Sequence, residues 1–203
     1  MSKHFDFVIV GAGIMGLAMA RELRKRHPSS SIALLEKENA LGKHASGRNS
    51  GVLHSGIYYP AGSLKAKLCA EGAREMAAYC EEHHLPLKRS GKVILPVEQD
   101  QDSQIEILLS RAKANGARAF VIGQDELTKI EPFAVSCTGR ALHSPDTALV
   151  NPIEILNHLE QTLESTGVVF SKNTRVEEVQ VPNSLLKTTQ GDFSYGYLFN
   201  TAG

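Results

Sequence analysis

The chain has 203 residues, 42% of them hydrophobic, and its 22 basic side chains balance 22 acidic ones. This composition is globular and long enough for one large domain or two small ones, and the zero net charge gives no electrostatic indication of a nucleic-acid partner. The three cysteines form no CxxC pair, and the adjacent His83 and His84 lack further ligands at metal-site spacing. We therefore predict a reducing, cytoplasmic compartment and no metal site.

The first 36 residues carry the pattern of a dinucleotide-binding unit. In chain order they predict a buried strand (FDFVIV, 5–10), a G-x-G-x-x-G turn (GAGIMG, 11–16), a helix (LAMARELRKRH, 17–27) and a second buried strand (SIALLE, 31–36). The second strand ends on Glu36, whose carboxylate can accept hydrogen bonds from ribose hydroxyls. Lys37 follows and is either a contact to a 2′-phosphate or a solvated side chain. The apolar run 7–20 also has the length of a signal peptide, but its regularly spaced glycines have no role in one.

The three glycines of the turn have separate roles in binding a dinucleotide. Gly11 permits the tight turn, Gly13 lets the main chain approach a pyrophosphate, and Gly16 lets the helix pack against the strand. Ile14 and Met15 of the turn are also predicted to contact the cofactor, and the N-terminus of the helix that follows offers N–H groups without intrahelical partners to the phosphates. With the flanking strands and the acid at the right distance, the spacing predicts a bound dinucleotide.

Residues 41–60 distinguish a flavin from a nicotinamide cofactor. A nicotinamide enzyme would continue the alternation of strands and helices here, whereas this stretch is rich in glycine and polar residues and has neither a helical nor a strand period. Loops of this length are uncommon unless they have a function. We predict a lid along an extended cofactor, in which these residues contact phosphate and ribityl oxygens: Ser46, Gly47, Arg48, Asn49, Ser50 and Gly51.

These stretches resemble a known family. GAGIMGLAMARELRKR, LLEKE and HASGRNSGVLHSGIYYP are similar to the D-amino-acid-oxidase-like superfamily of FAD-dependent oxidoreductases. Within that superfamily, GRNSGVLHSGIYYP most resembles the L-2-hydroxyglutarate oxidase (dehydrogenase) family, as do SGKVILP (90–96) and ALHSPDTALVNP (141–152). The resemblance covers the full chain. It implies an α/β fold (α+β overall), with a Rossmann-like FAD-binding βαβ domain, an inserted antiparallel meander and part of a smaller substrate domain.

The resemblance also implies roles for individual side chains. FAD would lie under the loop, with its flavin ring near residues 51–59. His54 would take the hydroxyl proton of a 2-hydroxy acid while a hydride leaves for the flavin, since imidazole titrates near neutral pH; the alternative is that it only orients the flavin or packs under it. Tyr58 and Tyr59 would bind a substrate carboxylate or wall the site.

Four helices and a strand are predicted between residues 64 and 167. The helices span 64–82, 101–115, 125–130 and 152–167, and the strand spans 92–97. In the first helix, Leu64, Leu68 and Met76 form a stripe with Ala73, Ala77 and Cys80 near it, and we expect these residues to pack in the core. A polar connection follows the third helix, and its Arg140, His143 and Asp146 face either the substrate or the surface.

Four short strands are predicted after residue 167. VVFS, TRVEEVQV, LLKTTQ and FSYGYLFN are separated by turn residues and predict an antiparallel meander between parallel strands. The resemblance implies that Val176 touches the adenine side of FAD through its main chain. It also implies a second cofactor-contacting strand and turn in YLFNTAG, formed by Thr201, Ala202 and Gly203.

The resemblance finally implies a division of the chain and a reaction. Residues 1–84 and 148–203 are expected to be parts of the FAD-binding domain, and residues 85–147 to be the first part of the substrate domain. As much protein again is expected after residue 203, so the chain would be truncated. The expected reaction is oxidation of L-2-hydroxyglutarate to 2-oxoglutarate, with quinone or oxygen as electron acceptor and peripheral association with the inner membrane. The alternatives are an amino-acid or secondary-amine oxidase and a non-catalytic cofactor-binding remnant.

Overall fold

The computed structural model describes residues 2–203 and divides the chain into two units. The first unit comprises Met1–Asn49 and Pro152–Gly203, and the second comprises Ser50–Asn151. This grouping places residues 50–84 with the second unit, whereas the expected division by ligand placed them with the FAD-binding part. The assignment of FAD and of the substrate to separate parts of the chain stays a prediction.

Helices separate single strands or pairs of strands as far as the last helix, and four strands follow it. In order they are β1 (Lys3–Val10), α1 (Ile14–Arg26), β2 (Ile32–Leu35), β3 (Val52–Leu53), α2 (Leu64–Glu82), β4 (Leu87–Lys88), β5 (Lys92–Ile94), α3 (Ser103–Ala114), β6 (Phe120–Gly123), α4 (Gln124–Ile130), β7 (Arg140–Ser144), β8 (Ala148–Val150), α5 (Pro152–Ser165), β9 (Val169–Ser171), β10 (Val176–Gln180), β11 (Leu185–Thr188) and β12 (Phe193–Asn200).

The first unit is built on a six-stranded sheet with the order β10-β11-β12-β1-β2-β9. β1 pairs in parallel with β12 on one side and β2 on the other, and β2 pairs in parallel with β9. All four residues of β2 are buried, as expected for a parallel strand that is covered on both faces. The α/β fold class with a parallel core and an antiparallel extension is therefore confirmed.

One strand of the predicted meander belongs elsewhere. β9 lies in the parallel core beside β2, and only β10, β11 and β12 form the antiparallel part. The prediction was wrong on this point because the pattern of a short apolar run indicates burial but does not specify which strand it pairs with. β12 belongs to both parts, since it is antiparallel to β11 and parallel to β1.

α5 begins and ends as its sequence predicts. It starts at Pro152, where a missing N–H costs no helical hydrogen bond, and Gly167 follows it with a φ of +82°, a conformation that favours glycine. Its buried residues include Leu156, Leu159 and Leu163. Each such leucine stabilises the fold by about 1.5–3 kcal/mol relative to an exposed position.

The second unit contains two three-stranded sheets, β3-β8-β4 and β5-β7-β6. α2 has the predicted bounds, and its N-terminus is capped by Ser63, whose hydroxyl accepts from the Ala66 N–H at 3.2 Å. The predicted core packing is confirmed for Ala77 and Cys80 but is wrong for Leu64 and Leu68. Leu64 and Leu68 are 70% and 57% exposed, whereas the small residues Ala66, Ala77 and Cys80 are buried.

Two residues assigned to a polar connection lie instead on strand β7. Arg140 begins that strand and forms ion pairs with Asp102, at 2.7 Å, and with Glu106. His143 pairs with Val93 of β5 in the same sheet. Asp146, which follows β7, pairs with Arg118, and this contact lowers the pKa of the Asp146 carboxyl. The structure thus gives Arg140 and Asp146 oppositely charged partners within the chain.

No helix formed by residues 2–203 has the length and apolar character needed to cross a membrane.

Candidate cofactor cradle and catalytic cluster

The glycine turn and the turn after β12 lie against each other. Gly11 has a φ of +96°, and a Cβ added there would lie 2.8 Å from the Thr201 carbonyl oxygen. A Cβ on Gly16 would lie 2.0 Å from the Gly11 oxygen and 2.9 Å from the Thr201 hydroxyl. That hydroxyl is within hydrogen-bonding distance of the main-chain oxygens of Val10, at 2.9 Å, and Gly11, at 2.8 Å. The structure therefore brings these two predicted cofactor-contacting turns together, with Ala202 and Gly203 directly after Thr201.

The start of α1 faces a serine hydroxyl of the long loop. The Ile14 N–H donates to the Ser46 Oγ at 3.0 Å, and a Cβ on Gly13 would lie 2.9 Å from the same oxygen. Ser46 therefore occupies one of the N–H groups that lack an intrahelical acceptor, and the helix dipole favours negative charge at this end. Met15 is 68% exposed at the same turn. A helix N-terminus with a hydroxyl beside it suits a phosphate group.

Glu36 is hydrogen-bonded to the glycine turn. One of its carboxylate oxygens accepts from the Ala12 N–H at 3.1 Å and the other from the Glu38 N–H at 3.0 Å. A carboxylate oxygen can accept more than one hydrogen bond, so both remain available to ribose hydroxyls. Lys37 is exposed.

Residues 44–49 form a compact turn. A Cβ on Gly47 would lie 2.1 Å from the Gly42 oxygen, so the main chain packs here more closely than any side chain would allow. The amide of Asn49 donates to the oxygens of Ala45, at 3.1 Å, and Ser46, at 2.9 Å. Arg48 and Ser50 are exposed. Gly51 lies in the second unit, where its oxygen accepts from the Val150 N–H at 2.9 Å.

Val176 is placed beside the end of β2. It packs against the buried cluster that contains Val8, Ala33 and Leu35, and two residues before it the Thr174 N–H donates to the Glu36 oxygen at 2.8 Å. The first unit therefore gathers the glycine turn, the serine hydroxyl, the acid and Val176 around the carboxyl ends of its central strands, where open α/β sheets bind their ligands. Positions that exclude any Cβ, a phosphate-compatible helix terminus and a ribose-compatible carboxylate fit a dinucleotide.

His54, Tyr58 and Lys92 form a cluster in the second unit. The His54 ring lies 6.1 Å from the Tyr58 ring between centroids, at an interplanar angle of 79°. The Lys92 ammonium group donates to the Tyr58 hydroxyl and lies 4.5 Å from the centroid of its ring. Burial lowers the pKa of His54, and the positive charge of Lys92 lowers it further. The imidazole is therefore held neutral, the form that accepts a proton.

Side chains from α3 fix the loop that carries Tyr58. The Arg111 guanidinium donates to the Tyr58 carbonyl oxygen at 3.1 Å. The Asn115 amide donates to the oxygens of Gly56 and Tyr59, each at 3.0 Å. Lys92 and Arg111 were absent from the predicted site. Lys92 lies in the SGKVILP stretch, which was assigned no role in the site.

A comparison with protein families decides the relationship. The model of the DAO family, described as FAD dependent oxidoreductase, matches residues 6–203. The chain belongs to this family. The predicted resemblance is confirmed, and FAD is the cofactor that the family uses. The glycine turn, Ser46, Glu36 and Val176 of the first unit form a cofactor cradle that fits it.

Individual relatives agree with the family. The chain is similar to the L-2-hydroxyglutarate dehydrogenase of Indibacter alkaliphilus, with 38% identity over 203 residues that cover 98% of this chain and 50% of that protein. It is similar to the mitochondrial L-2-hydroxyglutarate dehydrogenase of Homo sapiens, with 41% identity over 182 residues that cover 89% of this chain and 39% of that protein. The chain thus spans half or less of the length of these relatives.

Solved structures show the shared fold. A glycine oxidase from Geobacillus kaustophilus matches with a TM-score of 0.89 at 22% identity, over 100% of this chain and 56% of that one. An L-α-glycerophosphate oxidase from Mycoplasma pneumoniae, with FAD bound, matches with a TM-score of 0.83 at 24% identity, over 97% of this chain and 53% of that one.

Proposed function

We propose that the protein oxidises a small 2-hydroxy acid, with L-2-hydroxyglutarate, which would yield 2-oxoglutarate, as the leading substrate. The His54–Tyr58–Lys92 cluster carries this proposal, because it combines a neutral base with two hydrogen-bond donors for an acid. The choice of acid is supported by the names of the relatives, which are 38–46% identical to this chain.

The residues of the first unit are assigned to the cofactor. FAD would be held by the glycine turn, the acid, the loop and the second turn, in this set: Gly11, Gly13, Ile14, Met15, Gly16, Glu36, Lys37, Ser46, Gly47, Arg48, Asn49, Ser50, Gly51, Val176, Thr201, Ala202 and Gly203. Ser50 and Gly51 belong to the second unit. The glycines keep the main chain accessible, and the Ser46 hydroxyl and the helix N-terminus suit the phosphates.

The residues of the second unit are assigned to the substrate. Oxidation of a 2-hydroxy acid removes a proton from the hydroxyl and a hydride from C2, and leaves a C=O bond. FAD, when bound, supplies the hydride acceptor. His54 accepts the hydroxyl proton, since its lowered pKa keeps the imidazole neutral. The Tyr58 hydroxyl donates to the substrate carboxylate, and Tyr59, which is half-buried, walls the site.

The reaction is tested by the colour of the flavin. The purified protein, with FAD bound, is mixed anaerobically with L-2-hydroxyglutarate, and the oxidised flavin band should bleach. His54→Gln should slow bleaching by about 10²–10⁴-fold, whereas His84→Asn, at an exposed histidine, should leave the rate unchanged. Bleaching by N-methyl or α-amino acids alone would replace the proposal with an amine oxidase. If the protein binds FAD but none of these compounds bleaches the flavin band, the result would favour a non-catalytic cofactor-binding protein.

The electron acceptor and the location of the protein complete the proposal. Quinone and oxygen are the two candidate acceptors, and a quinone acceptor would require a peripheral association with the inner membrane. Reoxidation of the bleached protein by air or by a soluble quinone, measured as the rate at which the flavin band returns, distinguishes the two.

A further inference from the structure

Two hydrogen-bond donors lie side by side at Tyr58. The Lys92 ammonium group donates to the phenolic oxygen, so the phenol uses that oxygen as an acceptor and keeps its own hydrogen to donate elsewhere. The ammonium group carries three N–H donors, of which this bond uses one. An ammonium group and a phenol that each keep a donor match the two oxygens of a carboxylate.

The cations around Tyr58 lack acidic partners in this structure. Lys92 and Arg111 contact the hydroxyl and the carbonyl oxygen of Tyr58 respectively. Neither takes part in any of the ion pairs formed among residues 2–203. By contrast, three of the other four arginines of this unit form ion pairs with carboxylates: Arg89, Arg118 and Arg140. The surroundings of Tyr58 therefore carry positive charge that an anion would neutralise.

The main chain holds both donors in place. Lys92 begins β5, where it pairs with Ser144 of β7, and the preceding Gly91 N–H donates to the Thr147 oxygen at 2.9 Å. Tyr58 follows Ile57, which is buried against Ile105 and Leu108 of α3. The two side chains thus approach each other from a strand and from a loop anchored on a helix. The hydrogen bond between them already orders both side chains, which lowers the entropy cost of binding an anion.

We propose that Lys92 and the Tyr58 hydroxyl form the site that binds a carboxylate group of the substrate, and that Lys92 determines specificity for acids. This inference rests on the proposed function and extends it to a residue that the sequence did not assign. The positive charge of Lys92 also opposes a protonated amino group near His54, because like charges repel. The site therefore favours 2-hydroxy acids over 2-amino acids of the same length.

The first experiment separates binding from chemistry. Lys92→Gln should raise the KM for L-2-hydroxyglutarate by about 10- to 100-fold, the range for loss of a charge-assisted hydrogen bond, and change kcat much less. Lys92→Arg should restore most of the affinity, and Lys113→Gln, at an exposed lysine of α3, should have no effect. Tyr58→Phe, which removes only the hydroxyl, should raise KM by a smaller factor.

A second substrate identifies the carboxylate. L-2-hydroxypentanoate has the same carbon chain without the distal carboxyl group. A rise in KM for both acids would assign Lys92 to the carboxylate at C1, and a rise only for L-2-hydroxyglutarate would assign it to the distal one. An unchanged KM for both acids in Lys92→Gln would overturn the inference.

Glutarate binding distinguishes failure of this inference from failure of the proposed function. Glutarate has both carboxylates but no hydroxyl to oxidise, so its dissociation constant, measured by calorimetry, does not depend on turnover. The wild type should bind it at least tenfold more tightly than Lys92→Gln. If no 2-hydroxy acid bleaches the flavin but glutarate binding depends on Lys92, the proposed function fails and the carboxylate site stands. If glutarate binds equally well to both proteins or to neither, the carboxylate site is refuted.

Discussion

Replacement of Gly16 by alanine tests the packing on which the cofactor cradle depends. The added Cβ would lie 2.0 Å from the Gly11 oxygen and 2.9 Å from the Thr201 hydroxyl. The first of these atoms belongs to the main chain of the turn itself, so a side-chain rotation cannot relieve the overlap. Either α1 or the turn must move until the contact reaches about 3.4 Å, an ordinary separation of non-bonded atoms.

The size of the effect follows from that displacement. The difference between about 3.4 Å and the 2.0 Å of the structure is roughly 1.4 Å, which is large for a close-packed interior. Overpacking of this kind costs about 1–3 kcal/mol, and we expect the upper end because the main chain must shift. Gly72 provides the matched control, since it lies inside α2 and a Cβ there would meet nothing within 4 Å. Gly72→Ala should stabilise the protein by about 1 kcal/mol, the difference in helix propensity.

Urea denaturation and FAD titration measure the two consequences. Both glycines lie in helices, so the gain in helix propensity is common to both variants. Their free energies of unfolding should therefore differ by the overpacking cost, about 3 kcal/mol, with opposite signs relative to the wild type. FAD affinity should fall in Gly16→Ala and stay constant in Gly72→Ala. Equal unfolding midpoints for the two variants, or wild-type FAD affinity in Gly16→Ala, would refute the packing argument.

Three further changes test the assigned residues. Because burial and a nearby cation lower the pKa of His54 below 6.5, kcat/KM should decline as pH falls and the imidazole gains a proton, with the midpoint of the decline below pH 6.5; a decline centred above that value would contradict the assignment. Ser46→Ala removes the acceptor of the Ile14 N–H and should lower the free energy of unfolding by about 1 kcal/mol in urea, so an unchanged midpoint would count against it. Glu36→Gln replaces an oxygen that accepts from Ala12 and should weaken FAD binding about tenfold by fluorescence titration; wild-type affinity would show that the acid is not used.

Local signals in the sequence predicted much of the fold. α2 has the predicted bounds, as does β12, because capping residues, helical periodicity and turn residues all act within a few positions. The glycine turn was also predicted, and the structure adds its physical reason. Only glycine leaves room for the approach of Thr201 to Gly11, and that approach depends on residues far along the chain.

The errors and omissions have a common cause in tertiary contacts. Leu64 and Leu68 were expected in the core together with Ala77 and Cys80, but of these four residues only the two small ones are buried. The helical period reports which residues share a face and cannot report how closely a neighbour approaches that face. Lys92 was missed for a similar reason, because it meets Tyr58 across 34 positions of the chain and carries no motif of its own.

The contact between Thr201 and Gly11 joins positions 190 residues apart, and this separation has a consequence for biosynthesis. At ribosomal rates of about 5–20 residues per second, roughly 10–40 s pass between synthesis of the first turn and arrival of its partner. During that interval the nascent β1 has no neighbour on the side that β12 later takes. We therefore expect that a nascent chain shorter than 201 residues, which lacks the second turn proposed to contact FAD, does not retain the coenzyme.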